Sequence, residues 1–334
     1  MLNVYGKVVA LSPITHGSID VDLDDKTNKG EIRKIPFCVE DNAGEATTIF
    51  IPVVSGNSIK GLSRREFAQK IRETLGKEEF DKLDNEVKYL IAAGGANTNA
   101  SPSNVKQEVY AELRQKLPFL SVLGGVYRGH YFRGLLVSDF MIPITKEILS
   151  LYADKLVTVK LENNPLKYPS VSDLFTNEYI GYTRFKVEGV DEDEIMLEST
   201  SGEDKKLEIG NQMIYYTKQI PTGTLMIHGF HINKASDIEI SCFYAFLKTF
   251  IEVGHVGGNI SKGHGQIKCE YYLEDGTVLD DNTLNNLSEP FWTYLKNNKD
   301  KVLEQLSNLK DILQAKVKDK NNKSKKEKNE DEEE

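Results

Sequence analysis

The stretch from Gln212 to Glu274 constrains the fold more than any other. The run "QMIYYTKQIPTGTLMIHGFHI" reads as two β-strands joined at "IPTG". Phe243, Phe246, Leu247, Phe250 and Ile251 follow at i, i+3, i+4, i+7 and i+8. That spacing puts five apolar side chains on one face of a helix, and the pattern stops at Gly254. A glycine-rich loop, "VGGNISKGHG", then feeds another strand-like run, "QIKCEYYLE". The N-terminal half repeats the mixture. "NVYGKVVALSPI" reads as a strand with a proline stop, and "IRKIPFCVE" and "TTIFIPVV" as strands around "EDNAGEA". Phe67, Ile71 and Leu75, with Ile59 and Leu62 upstream, mark a helix; "KEEFDKLDNEVKYLIAA" and "NVKQEVYAELRQKL" mark two more. "GLLVSDFMIPI" reads as a strand. Strands and helices alternate without regular βαβ spacing, which favours an α+β fold over a doubly wound sheet. The order is compatible with a ferredoxin-like core carrying insertions.

A chain of 334 residues, 39% hydrophobic, can bury a full core in one large or two modest domains. No apolar run reaches the ~18–20 residues of a membrane helix, and "MLNVYGKVVALSPITHG" has no secretion-signal pattern. Cys38, Cys242 and Cys269 lie too far apart for a disulfide framework or a zinc pattern. The expectation is a reducing, cytoplasmic setting. Residues 156–211 are irregular and acid-rich, an excursion from the core. Val302, Leu306, Leu309 and Leu313 mark a final amphipathic helix, and the tail from Lys316 is low-complexity and read as disordered.

Enzyme motifs are missing. "GGNISKGHG" has the glycine spacing of a P-loop between Gly258 and Gly263, but His264 stands where the phosphate-binding lysine belongs. His228 and His231 sit on opposite faces of a strand and read as structural. His16, before a glycine in a loop, is less easily explained by structure. The acidic loop from Asp20 to Asp25 reads as solvated, with metal binding as its alternative. No catalytic residue, metal site or cofactor is expected.

The net charge of −9 weighs against nucleic-acid binding only weakly, because what matters is where the positive charge sits. Four glycine-containing corners are locally basic. The first is "SGNSIKGLSRR", with Ser55, Gly56, Asn57, Ser58, Lys60, Arg64 and Arg65; small residues let a ligand approach the backbone, and helix-start N–H groups favour anions. The second is "LGGVYRGHYFRG", in which Arg128 and Arg133 alternate with Tyr127, Tyr131 and Phe132, a pattern suited to single strands. The third is "VGGNISKGHG", with Gly257, Gly258, Ser261, Lys262, Gly263 and His264. The fourth is "GEIRKIPF", with Arg33 and Lys34. A solvent-facing turn is the plain alternative for any one of them; four together favour a phosphate backbone as ligand.

In this order the pieces resemble the RAMP superfamily of class 1 CRISPR effectors, and in particular the backbone subunits that polymerise along a guide RNA. "IPVVSGNSIKGLSRR", "LSVLGG…RGLLVSDFMIP", "YYTKQIPTGTLMIHGFHI", "VGGNISKGHGQIK" and the N-terminal strand followed by "HG" carry the resemblance, over about Leu2 to Glu270. It implies a modified RRM-type, ferredoxin-like palm (1–60, 119–159 and 212–275), a helical fingers insertion (61–118) and a thumb-like excursion (160–211). C-terminal helices (276–315) and the charged tail (316–334) complete the division. It implies head-to-tail copies along a guide RNA in a ribonucleoprotein of antiviral defence, with target nucleic acid and further effector subunits as partners.

In the target-cleaving branch a single aspartate acts in the loop before the second strand. The matching stretch is "GEIRKIPF", where Arg33 or Lys34 occupies that place. The wording is closest to the type IV backbone subunit, with type I next, and the expectation is a non-cleaving subunit. The alternative is a type III-like ribonuclease using an aspartate among Asp20, Asp22, Asp24 and Asp25. A guide-processing endonuclease using His16 ranks lower.

Overall fold

In a computed structural model of the protein, the described residues are 1–17, 29–40, 44–95, 103–174, 176–183 and 212–313. Its centre is an antiparallel sheet. The first strand, Leu2–Ala10, lies between Leu225–Ile232, in register from Leu2↔Ile232 to Val9↔Leu225, and Ile267–Leu273, from Val4↔Leu273 to Ala10↔Ile267. Beyond Leu225–Ile232 come two short pieces, Leu136–Ser138 and Ile142–Pro143. The long helices Gly56–Leu75 and Asp237–Val253 precede the second and fourth strands of this sheet. The succession is therefore strand, helix, strand, strand, helix, strand, with spatial order fourth, first, third, second.

Period-two alternation in Leu2–Ala10 sends one set of side chains to the helical side of the sheet. Val4, Val8 and Ala10 are buried on one face, with Met226, His228, Phe230 and Ile232 beside them. The helical stripe read in the sequence meets this face, since Phe230 packs edge-on against Phe243, Phe246 and Phe250. Phe67 of the first long helix lies edge-on to Phe246 and stacks at 5.7 Å on Phe291 of Asp281–Asn297. A third layer of helix thus covers the first two. Gly254 closes Asp237–Val253 with φ of 59°, as the stop in the pattern required.

The helical insertion also folds onto this core. "KEEFDKLDNEVKYLIAA" forms two helices, Lys77–Asp81 and Asn85–Ala93, because Asp84 adopts an extended ψ of 141° between them. Gln107–Lys116 matches expectation, and Pro118–Leu123 adds a short buried helix that no periodicity announced. Glu239, 1% exposed, fixes the insertion: it completes the capping box with Ser236 and takes a bidentate bond from Arg114 at 2.7 and 2.8 Å. The boundary drawn at 60/61 falls inside the continuous helix Gly56–Leu75.

The opposite sheet face is covered too. The hairpin Lys34–Glu40/Ala46–Pro52 and the segment from Ile142 to Leu174 bury a second apolar cluster that includes Ile51, Ile144, Leu156 and Ile227. The excursion proper is narrower than 160–211. Its base is the pair Thr176–Thr183/Gln212–Gln219, in register from Thr176↔Gln219 to Thr183↔Gln212. Residues 184–211, most of the acidic loop with Asp20, Asp22, Asp24 and Asp25, and the tail from 314 lie outside the described residues.

Both strand histidines are hydrogen-bonded within the fold. His228 is 2% exposed and bonded to Tyr271 Oη at 2.7 Å and Ser138 Oγ at 3.1 Å. Burial pushes its pKa down to about 3, so it stays neutral in the fold while an unfolded histidine takes a proton near 6.5. Stability is therefore lost as pH falls from 6.5 towards 3. Between pH 6.5 and 5 the loss from this group is about 2 kcal/mol. Urea unfolding at pH 7 and pH 5 should show that extra slope in the native chain, and His228→Gln should remove it while lowering stability at both.

Candidate nucleic-acid interface

Three of the four basic corners converge on one piece of chain, Ile14 to Gly17. Thr15 pairs with Gly258: the Gly258 N–H donates to the Thr15 carbonyl at 2.7 Å, and Thr15 Oγ1 donates to the Gly258 carbonyl at 3.0 Å. The His16 carbonyl takes the Arg33 N–H at 2.8 Å. The His16 ring takes the Ser55 N–H at Nε2, 3.2 Å away. Burial, followed by the Arg33 charge, pushes His16 below the usual imidazole value, so the neutral ring can accept that bond. The histidine that the sequence left without a structural account ties the segment after the first strand to the start of the first long helix.

Ser55 is the N-cap of that helix, its Oγ accepting from the Ser58 N–H at 3.3 Å. No acidic residue occupies the first turn, whereas Asp237 and Glu239 occupy that of the second long helix. The positive end of the Gly56–Leu75 macrodipole is thus left uncompensated by its own side chains. Asn57 and Arg65 are exposed on one face. Between them, at helical spacing, lies Gly61, where an added Cβ would meet nothing within 4 Å. An interior helix glycine costs about 1 kcal/mol relative to alanine, and packing does not require this one.

Other residues of this corner serve the fold. A Cβ on Gly56 would stand 2.1 Å from the Ser138 carbonyl oxygen, so this glycine seats the helix against the sheet rather than opening a path for ligand. Arg64, expected to face phosphate, is 7% exposed; its guanidinium donates to the carbonyls of Leu90, Ile91 and Leu123 at 2.7, 2.8 and 3.5 Å. It caps the end of Asn85–Ala93, and burial lowers its pKa to about 10, leaving it charged. Lys60 is half-buried and donates to the Leu136 carbonyl at 3.2 Å. Burial first, then the Arg64 charge, lowers its pKa.

The third corner presents Gly258, Ser261, Lys262 and Gly263 to solvent, while His264 is 5% exposed. Gly257 has φ of 78°, and a Cβ there would lie 2.2 Å from the Thr15 carbonyl oxygen, so only glycine fits this crossing. Leu62 and Glu66 line one groove of about 350 Å³ with His255 and Ile260, which sets the helix beside the glycine loop. In the fourth corner Arg33 is half-buried with its guanidinium 5.7 Å from the Phe140 ring centre, and Lys34 opens the hairpin opposite Pro52.

The second corner stands apart. Arg128 is ion-paired with Glu86 of the insertion and lies over its own neighbour Tyr127. Tyr127 and Phe132 are each 2% exposed, so the interleaved aromatics belong to the core, and only Tyr131, 53% exposed, is open to stacking. Arg133 is exposed, its carbonyl taking the Tyr110 hydroxyl. Among the described residues no group of histidine, cysteine, aspartate and glutamate could hold a metal ion, and no helix is long and apolar enough to cross a membrane.

The two adjacent arginines should separate cleanly. Arg64→Ala strands three carbonyls and should cost about 3 kcal/mol in urea unfolding. Arg65→Ala should stay within about 0.5 kcal/mol of the native chain.

No family model and no curated protein matches the chain. Among solved structures it is similar to a chain of a Type IV-B CRISPR complex, with 21% identity and a TM-score of 0.48, over 80% of this chain and 90% of that one. It is also similar to Csc2 of Thermofilum pendens, with 12% identity and a TM-score of 0.36, over 91% and 79% of the two chains.

Proposed function

We propose that the chain is a RAMP-type backbone subunit of a class 1 CRISPR effector, most like that of type IV. It binds guide RNA through the phosphate backbone and displays it for pairing without cutting the target. The observation that carries this reading is the junction at Thr15–His16. Sequence segments around residues 33, 55 and 258 are hydrogen-bonded to these two adjacent residues. Three weak motifs become one continuous edge, bearing Asn57, Ser58, Gly61 and Arg65 on the helix and Ser261 and Lys262 on the loop. An uncompensated helix start and exposed cations are what a sequence-independent phosphate contact uses. The strand order of the central sheet supports the reading of a ferredoxin-like palm. Its second sheet face is largely covered by the hairpin Lys34–Glu40/Ala46–Pro52 and the segment from Ile142 to Leu174, which favours the edge over the open sheet used by ordinary RRM domains as the path of the phosphate backbone.

Copies would assemble head to tail, the excursion after Thr183 engaging the next palm. Such heterologous contacts build helical filaments when the rotation does not close. Because Thr183 and Gln212 are paired, a short Gly-Ser link can replace residues 184–211. The expected result is a folded monomer that binds RNA and forms no ordered oligomers in electron micrographs; normal filaments would place the contact elsewhere.

On single-stranded oligouridylate, Arg65→Ala and Lys262→Ala should each weaken binding and reduce the salt slope by about 0.7. Gly61→Ala should raise the melting temperature through helix propensity and still weaken binding, because its methyl group stands where the strand approaches. Unchanged affinity in all three variants would leave the edge a set of turns. Complementary labelled RNA with magnesium or manganese should stay intact on the assembled complex. Regular cleavage lost on Asp20→Ala or Asp22→Ala would instead favour the ribonuclease alternative.

A further inference from the structure

The sheet face away from the long helices carries a groove of about 460 Å³ that the phosphate edge does not use. Phe37, Phe140, Tyr152 and Ile227 line it, and Asp139 and Lys155 supply its charged groups. The run "GLLVSDFMIPI", expected to form one strand, breaks at Asp139; its N–H still donates to the Gly229 carbonyl at 2.9 Å, and Asp139 lines the groove.

That carboxylate is held from behind. Oδ2 takes His231 Nε2 at 2.9 Å and Lys155 Nζ at 3.2 Å. His231 is oriented in turn by Asn3 Oδ1 at 2.8 Å, and Asn3 by Glu274 at 2.6 Å. Among the described residues Oδ1 has no hydrogen-bond partner. Burial acts to raise the Asp139 pKa, but the His231 bond and the Lys155 charge outweigh it and hold the carboxyl below the usual range. The lysine ammonium lies 5.2 Å from the Tyr5 ring centre and 5.6 Å from that of Tyr152. An ionised acceptor and a cationic donor therefore sit side by side in an aromatic-lined cleft.

We propose that this groove binds one guanine base, Asp139 accepting from N1–H and the 2-amino group and Lys155 donating to O6. Guanine is the base whose edge sets two adjacent donors beside an acceptor. Adenine and cytosine turn a ring-nitrogen acceptor towards the carboxylate, and uracil offers a single donor between two carbonyls, so each leaves charge unpaired or repelled. Stacking on the aromatic lining suits a base taken out of a strand. Arg33 lies over Phe140 and is bonded to His16, which joins the groove to the phosphate edge. Delivery by RNA rests on the function proposed above; recognition of the base does not.

Two arms test the site with the full chain. In the first, guanosine, inosine, adenosine, cytidine and uridine 5′-monophosphates are titrated by calorimetry. In the second, oligouridylates carrying one central guanosine, inosine or adenosine are compared with plain oligouridylate. Guanine should be preferred over adenine at least about tenfold in one arm or both, with inosine between them. Preference in the mononucleotide arm assigns a free nucleotide, and preference in the oligomer arm alone assigns a base of the strand. Asp139→Asn should abolish the preference and leave plain oligouridylate binding unchanged. Tyr152→Leu, which spares the polar network, should weaken guanine binding severalfold and serves if Asp139→Asn unfolds. Equal affinity for all bases in both arms overturns the site. If plain oligouridylate binds with its salt slope intact, that result leaves the backbone-subunit reading standing. If no oligomer binds while guanosine monophosphate does, the guanine site stands and the backbone-subunit reading falls.

Discussion

One bond organises the basic edge: the Ser55 N–H donated to the neutral His16 ring. It joins the segment that follows the first strand to the start of the first long helix. The His16 backbone also takes Arg33, and Thr15 beside it takes the glycine loop. An ionised histidine could not accept from Ser55, so the burial that keeps the ring neutral is a condition of the arrangement. On the far side of the helix start, the missing side chain of Gly56 lets the first turn rest on the Ser138 carbonyl. The cap is located from both directions, and its exposed groups inherit that placement.

The periodic elements were legible because burial on one face leaves a period in the sequence. The stripe from Phe243 to Ile251, the alternation in Leu2–Ala10 and the paired strands Lys34–Glu40 and Ala46–Pro52 all took the form their patterns required. Two features broke the rule for local reasons. Asp84 and Asp139 each interrupt a run whose apolar residues continue on both sides, the first splitting a helix and the second a strand. Pro118–Leu123 is buried all round and so carries no periodicity to read.

The candidate site was legible as a list of corners and not as a surface. Composition identifies an arginine but not which side of a helix meets a neighbouring helix end. Arg64 and Arg65 are adjacent, yet one is spent on three carbonyls inside the protein and the other is exposed. Tyr127 and Phe132 look like a stacking platform until their hairpin is laid on the insertion, which turns both inward. His16 carried the useful signal in reverse: a polar ring with no visible local purpose was serving a contact 39 residues away.

The excursion leaves the core at Thr183 and returns at Gln212, and those two residues face each other across an antiparallel ladder. The intervening chain therefore begins and ends at one point of a closed seam. Lengthening or shortening it changes the entropy of closing the loop only logarithmically and leaves the register of the ladder beneath it untouched. Natural selection can vary the length of that segment as an independent trait, without renegotiating the architecture from which it springs.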